Sequence, residues 1–343
     1  YMEAQFGFGR GIDDYRLVLP IRDSMNTVFD HIQSHEQTFS FLHTYTVHDY
    51  PRVESSPKLL DLLNLRDPGY QGHFPTKEDF HGQVSSMGDR LDPEPISQRD
   101  ISYLRDIYDA AVGIADKSLG RFIGKLKETG TWDDVTLILT SDHGEGLGER
   151  LGGLQRWHHG GPPYQNQLHI PLLIRPSEEA KGLMEPGEIQ QMVSLIDLVP
   201  TILDLADEPY ARDQFHGLSL ADLCLGQVNA FETRRLHFHS CADAEDRYLD
   251  HRLYGSAMTW RESGKIIYDP RTLALREYYE LDKDPAEQVN RIKELPLDEL
   301  KRMDETLAAY WAWVKEEFLD PAKVEIDDPT VLSRLAALGY LDI

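Results

Sequence analysis

Between Arg99 and Thr140 the sequence changes its hydrophobic period once, and that change restricts the fold more than any other feature of the chain. Leu104, Ile107, Ala111, Ile114, Phe122, Ile123 and Leu126 recur at helical spacing through Arg99–Gly130, and Gly130 offers a stop. The run Val135-Thr136-Leu137-Ile138-Leu139-Thr140 follows almost at once and does not alternate apolar with polar. Such a run belongs to a strand covered on both faces, as in a parallel α/β sheet. Ile170-Pro171-Leu172-Leu173-Ile174 and Met192-Val193-Ser194-Leu195 repeat the signal, the second ahead of a helix over Pro200–Ala206. Upstream, Met25, Val28, Phe29 and Ile32 mark a helix within Asp23–Gln37, and the aromatic and β-branched stretch Thr38–Val47 reads as a strand. The expected fold class is therefore α/β, a mixed, mainly parallel sheet flanked by helices.

Past about Gly226 the texture changes. Leu236–His239, Ser256–Arg261, Lys265–Tyr268 and Arg276–Leu281 read as short strands, with a hairpin turn at Glu262-Ser263-Gly264 between the middle two. Leu300, Met303, Leu307, Tyr310 and Val314 stripe a closing helix over Leu297–Phe318. This predicts a smaller antiparallel α+β subdomain at 226–343 beside a main domain at 1–225. The stretch Asp49–Gln98 is rich in Pro, Gly, Asp and Ser and reads as long loops, which inside compact domains are often binding elements.

Composition removes several functional classes. With 35 basic and 59 acidic side chains among 343 residues, the net charge is 35 − 59 = −24. Nucleic acids and anionic membranes call for a basic patch, so neither is an expected partner. No apolar run reaches the roughly 18 residues of a membrane-spanning helix. The 2 cysteines, Cys224 and Cys241, exclude a disulfide-stapled scaffold and a four-cysteine zinc site. The apolar fraction of 41 % is enough for a sizeable core.

Chemistry concentrates where the Val135–Thr140 strand ends, at Ser141-Asp142-His143-Gly144-Glu145-Gly146-Leu147-Gly148-Glu149. Ligands of open α/β sheets bind outside the carboxyl ends of strands. A carboxylate beside an imidazole, on a backbone that glycines let turn sharply, is half of a divalent-cation site. His48 follows the Phe39–Val47 strand, so parallel placement would bring it to the same edge, whereas His43 lies inside that strand. Trp157-His158-His159-Gly160-Gly161 falls in the loop expected between the Val135 and Ile170 strands, and its paired histidines suit a metal or an anion. Gly144, Gly146 and Gly148 lack the spacing of a dinucleotide loop, and no nucleophile elbow is present.

These residues carry a resemblance. Phe41-Leu42-His43-Thr44-Tyr45-Thr46-Val47-His48-Asp49-Tyr50-Pro51 and Ser141–Glu149 resemble two histidine and metal-binding segments of sulfatases. His159-Gly160, Tyr164 and Ile170–Ile174 resemble the element that follows, as do Asp197-Leu198-Val199-Pro200-Thr201, Leu203–Ala206 and Gly217–Leu220. Tyr279–Gln288 and Leu338-Gly339-Tyr340-Leu341 are similar to the family's closing pieces. The chain resembles, in order through nearly its whole length, a sulfatase of the alkaline phosphatase superfamily.

The resemblance implies an alkaline-phosphatase-like fold and a sulfuric ester hydrolase acting on a small-molecule or carbohydrate sulfate ester. It implies Asp142 and His143 as ligands of a divalent cation, Ca²⁺ by family habit. Many sulfatases have Asn where His143 stands, and the softer imidazole leaves Mn²⁺ open. His48 would contact the sulfate or protonate the leaving alcohol. His159 would replace a basic residue, often Lys, that holds sulfate oxygens, with His158 as its neighbour candidate and His43 as a further substrate contact. The family's formylglycine nucleophile, made from a Cys or Ser in a Cys-x-Pro/Ala-x-Arg segment, has no match here: Cys224 and Cys241 sit in unrelated contexts, and Asp13-Asp14 lies in a segment resembling a later part of the family. The expectation is an N-terminally incomplete catalytic domain, inactive alone, whose sheet leaves an apolar face uncovered. Periplasmic or extracellular residence follows from the resemblance only. Two other readings stay open, a phosphodiesterase or phosphonate monoester hydrolase of the same superfamily and a non-catalytic ligand-binding paralogue.

Overall fold

The computed structural model describes residues 9, 11–16, 20–50, 70, 97–184, 186–226, 230–231, 234–239, 255–261 and 263–317. Most of Asp49–Gln98, Cys241 and Leu338–Leu341 lie outside the described residues. In chain order the elements are α1 (Ile21–Ser34), α2 (Gln98–Glu128), β1 (Leu137–Thr140), β2 (Gly146–Leu151), β3 (Leu154–His158), α3 (Gln165–Leu168) and β4 (Leu172–Arg175). They continue with α4 (Leu198–Leu205), α5 (Leu220–Cys224), β5 (His237–His239), β6 (Ser256–Trp260), β7 (Gly264–Tyr268), β8 (Leu275–Glu280) and α6 (Leu297–Glu317). The contacts divide the chain into two compact units, one drawn from residues 1–139, 172–187 and 203–209, the other from 140–171, 188–202 and 210–343.

The first unit is built on α2. Ser97 caps it: the Ser97 hydroxyl accepts from the Asp100 N–H at 3.2 Å, and the Asp100 carboxylate accepts from the Ser97 N–H at 2.9 Å. That reciprocal box satisfies two N–H groups the helix itself leaves unpaired. Ile101, Leu104, Ile107, Ala110, Ala111, Phe122 and Leu126 form its buried stripe, and Gly130, at φ +75°, ends the run. α1 packs along α2, where Lys125 Nζ donates to Asn26 Oδ1 at 2.7 Å and lies over the Phe29 ring. β1 pairs with β4 in a two-stranded sheet. Its residues were expected to be covered on both sides, but Leu139 is 41 % and Leu173 59 % exposed. A continuous apolar run states what a strand would bury; neighbouring elements decide whether it does.

Two expected strands do not form. Thr38–Val47 has no strand assignment, and Phe39 and Phe41 are exposed. The chain turns at 46–49, with the Asp49 N–H donating to Tyr45 O. β-Branched and aromatic content records how well side chains fit a pleated surface; without a partner strand it makes none. Met192–Leu195 is likewise irregular, because Ser194 begins a capping box with Asp197 and the chain enters a short 3₁₀ turn over Leu195–Asp197. The Asp197 carboxylate accepts from the Ser194 N–H at 2.8 Å. Local capping overrides the apolar run there.

In the second unit β5–β6–β7–β8 form an antiparallel sheet in that order. Alternation sends Met258, Trp260, Ile266, Tyr268 and Tyr278 to one face, where they pack against Met303 and Leu307 of α6. Full burial of residues such as Met303 and Leu307 contributes roughly 1.5–3 kcal/mol each. Ala257, Ile267 and Tyr279 point to the other face and meet Leu151 of β2 and Tyr164. Every residue of β6 and β7 is buried as a result. The sheet is thus a slab with a helix on one side and the β2–β3 segment on the other.

Candidate functional site

The stretch between the Val135 and Ile170 strands, expected as a loop, contains a hairpin. β2 and β3 pair antiparallel around Gly152-Gly153, whose φ values are +57° and +80°. Positive φ at both positions is what a two-residue turn needs to match strand twist. The register sets Gly146 opposite His158, so Glu145 and His159 flank the open end of the hairpin. Two residues distant in sequence become neighbours through that pairing alone.

Glu145 is the centre of the cluster. Its side chain is 5 % exposed, with one carboxylate oxygen 3.3 Å from His158 Nδ1 and the other 3.3 Å from His159 Nδ1. An ionised carboxylate only accepts, so each ring carries its proton on Nδ1 and presents Nε2. The His159 ring lies 3.9 Å from that of His158 and 4.0 Å from that of His143, centroid to centroid. Burial holds His159 below its ordinary pKa, with the neighbouring imidazoles adding to the effect and Glu145 opposing it. Burial also pushes the Glu145 carboxyl up, but the two imidazole hydrogen bonds outweigh it and hold the group below the usual carboxylate value. The arrangement is a buried carboxylate orienting two imidazoles, one of which burial disfavours as a cation.

Asp142 and His143 lie beside this cluster on the turn after β1. His143 Nδ1 is 2.8 Å from Gly144 O, which places the ring proton there. Nε2 lies 3.8 Å from Asp142 Oδ2, and both atoms are of the type that ligates a metal ion. A backbone carbonyl that fixes the tautomer is the usual outer partner of a metal-binding histidine. The donor set therefore fits a divalent cation. The Ser141 hydroxyl donates to His143 O at 2.5 Å, and Asp142 Oδ1 accepts from the His143 N–H at 3.0 Å, so the turn is tied to itself.

Two glycines permit this packing. A Cβ on Gly144 would lie 2.1 Å from Asn166 O, and one on Gly146 2.8 Å from His158 O. His158 itself takes φ +61°, in the left-handed region. For a residue with a Cβ that conformation is strained by about 1 kcal/mol or more, of the kind often stored at functional sites.

Asp142, His143, His158 and His159 thus meet in one unit. His43 and His48 belong to the other unit. There the Tyr45 ring stands edge-on to both, with centroids 4.9 Å from His43 and 5.5 Å from His48, and His48 Nδ1 is 3.2 Å from Asp49 Oδ1. Sequence reasoning assigned no role to Glu145, although it stands inside the quoted Ser141–Glu149 cluster. The Gly-Gly pair between Gly146–Leu151 and Leu154–His158 is a hairpin signal that brings the two segments together without fixing their register.

Comparison with known proteins gives the site a context. The sequence model of the family described as Sulfatase matches residues 12–208. Arylsulfatase K of Xenopus laevis is 27 % identical over 214 residues, 62 % of this chain and 38 % of that protein. An arylsulfatase of Clostridium perfringens is 25 % identical over 199 residues, 57 % of this chain and 37 % of that protein. The multifunctional alkaline phosphatase superfamily protein PehA of Trinickia caryophylli is 36 % identical over 139 residues, 39 % of this chain and 24 % of that protein. The chain spans less than two fifths of the length of these relatives. A solved protein bound to its substrate D-glucosamine-2-N,6-O-disulfate shares the fold, with a TM-score of 0.50 and 22 % identity over 73 % of this chain and 48 % of that one. The fold class is the α/β class of the alkaline-phosphatase-like proteins.

Proposed function

The chain belongs to the sulfatase family, and from that premise we propose that the protein it comes from hydrolyses a small-molecule or carbohydrate sulfate ester. One observation carries the reading: the His143 ring, beside Asp142, meets the ring of His159, which with His158 flanks the buried carboxylate of Glu145. In this reading Asp142 and His143 hold a divalent cation, Ca²⁺ or, given the imidazole, Mn²⁺. The cation, when bound, supplies positive charge against the sulfate oxygens and the attacking group. The nucleophile, a formylglycine by family membership, lies in a part of the protein outside these residues.

The chain's own side chains prepare the site for a shift of negative charge. Burial holds His159 below its ordinary pKa. An incoming sulfate favours a proton on its Nε2, and the ring then donates to Glu145 from one nitrogen and to a sulfate oxygen from the other. His158 stands beside it on the second oxygen of Glu145 and can address the same anion. His48 and His43 enter the proposal by the resemblance of their segment alone, His48 as the group that contacts the sulfate or protonates the leaving alcohol. We further propose residence in the periplasm or outside the cell, which fractionation of the producing cells would check.

The test is hydrolysis of an aryl sulfate by the full-length protein and its His143→Ala variant. The variant should lose at least about 100-fold in kcat/KM, a loss that added divalent cation offsets only in part. An unchanged rate would remove the cation assignment. A second reading, phosphodiester or phosphonate ester hydrolysis within the same superfamily, shares these site residues and differs in nucleophile and charge preference. Bis-aryl phosphate turned over faster than aryl sulfate would decide for it.

A further inference from the structure

Three buried or bridging groups in the second unit take no part in this chemistry: Lys265 of β7, Glu287, and Gln167 of α3. Lys265 and Glu287 form an ion pair, each side chain 1 % exposed. Lys265 Nζ also donates to Pro163 O at 2.9 Å, and the second Glu287 oxygen accepts from the Gln165 N–H at 2.6 Å. The pair grips both sides of the entrance to α3. Glu287 reaches it from a left-handed backbone, φ +52°, a strained conformation for a residue other than glycine. Next to the pair, the Tyr164 hydroxyl donates to the Glu277 carboxylate at 2.9 Å. Pro163, Tyr164 and Gln165 are thereby tied in succession to the antiparallel sheet.

One turn further on, Gln167 touches both histidine segments. Its Oε1 accepts from the Gly160 N–H at 2.8 Å and its Nε2 donates to Gly160 O at 3.0 Å. Its backbone carbonyl accepts from the Gly144 N–H at 2.8 Å. Gly160 follows His159, and Gly144 follows His143. A single residue is bonded to the peptide just after each of the two imidazoles whose rings lie 4.0 Å apart. The absence of a Cβ on Gly144 lets the segment come that close.

We infer that Gln167 is a positioning residue that sets the spacing of His143 and His159, and that the Lys265–Glu287 pair anchors it to the antiparallel sheet. The physical argument concerns what each feature is good for. A buried ion pair is poor evidence of stability, since apolar residues of the same volume often serve as well; its value is a fixed geometry that only one arrangement satisfies. Here the fixed geometry belongs to a four-residue helix, α3, too short to hold itself in place. Sites that must hold reacting groups to about 0.5 Å need such support behind them. The inference rests on the reading of His143 and His159 as site residues.

The test uses the full-length protein and compares Gln167→Ala, Gln167→Glu and His143→Ala. The Ala variant should fold normally, because the Gln167 side-chain bonds to Gly160 lie at an exposed site. It should lose about 10–100-fold in kcat with KM changed less than about threefold. Its crystal structure should show the His143 and His159 rings more than about 1 Å further apart. Glu at 167 keeps the acceptor for the Gly160 N–H and should recover part of the lost kcat. A kcat for Gln167→Ala within twofold of the wild type, alongside a large loss in His143→Ala, would overturn the inference and leave the proposed function standing. Full activity in His143→Ala would overturn both.

Discussion

Asp197 offers the sharpest test of how the second unit is held together. Its carboxylate is fully buried and accepts four bonds: from Arg234 at 2.6 and 2.7 Å, from the Ser194 N–H at 2.8 Å and from the Leu218 N–H at 2.9 Å. Replacing it with Ala leaves a guanidinium that is 13 % exposed without its counter-charge and two backbone N–H groups without an acceptor. Breaking a buried pair from one side costs about 3–5 kcal/mol. Each orphaned buried N–H adds about 1–3 kcal/mol where water cannot reach it. These terms overlap, and Arg234 keeps its bond to Met192 O and its place over the Phe231 ring, so the expected loss is about 4 kcal/mol. Hydrogen exchange read by mass spectrometry on peptides covering 190–226 would measure it locally, which matters because a chain of two units need not unfold in one step. Protection there should fall by about a thousandfold, 1.4 kcal/mol being tenfold. The double variant Asp197→Leu, Arg234→Met should recover at least about 2 kcal/mol, since no charge is then left buried. A loss under tenfold in Asp197→Ala, or a double variant as damaged as the sum of its singles, would refute the argument.

Further outcomes follow from the candidate site. Glu145→Gln removes the charge that raises the affinity of His159 for a proton, so the alkaline limb of kcat/KM should move to lower pH; a limb that stays in place would separate Glu145 from His159 function. In the wild type both groups are held below their ordinary pKa values, so the unfolded chain binds protons more readily and stability should decline as pH falls, from the ordinary histidine value of 6.5 downward for His159 and from 4.5 for Glu145. Gly144→Ala should cost about 1–3 kcal/mol and most of the activity, because its Cβ would lie 2.1 Å from a backbone oxygen. Gly153→Ala, which meets nothing within 4 Å but keeps φ +80°, should cost only about 1 kcal/mol and spare the activity.

Much of the fold was legible where the signal is local. α2 was expected over Arg99–Gly130 and runs over Gln98–Glu128, because its period and its glycine stop are written in its own residues. The four strands β5–β8 and the closing helix lie within a residue or so of their expected positions, since alternation and turn residues bracket each one. Thr38–Val47 and Met192–Leu195 failed for the opposite reason: a strand needs a partner, and neither has one among the described residues. In the site, Asp142, His143, His158 and His159 were singled out because residue type and glycine context mark them. Gln167 carries no such mark, and Glu145, although it stands between Gly144 and Gly146, shows its role only through the histidines it meets.

What the chain determines by itself is therefore which side chains are chemically able to act and which segments are helical or extended, both of them properties of a few adjacent residues. Only the tertiary structure decided that Leu139 and Leu173 face solvent and that the hairpin register carries Glu145 to His159. It also decided that a lysine on β7 steadies a turn of helix beside the imidazoles. Those outcomes depend on contacts between residues 14 to 102 positions apart, and no local pattern encodes a distance of that kind.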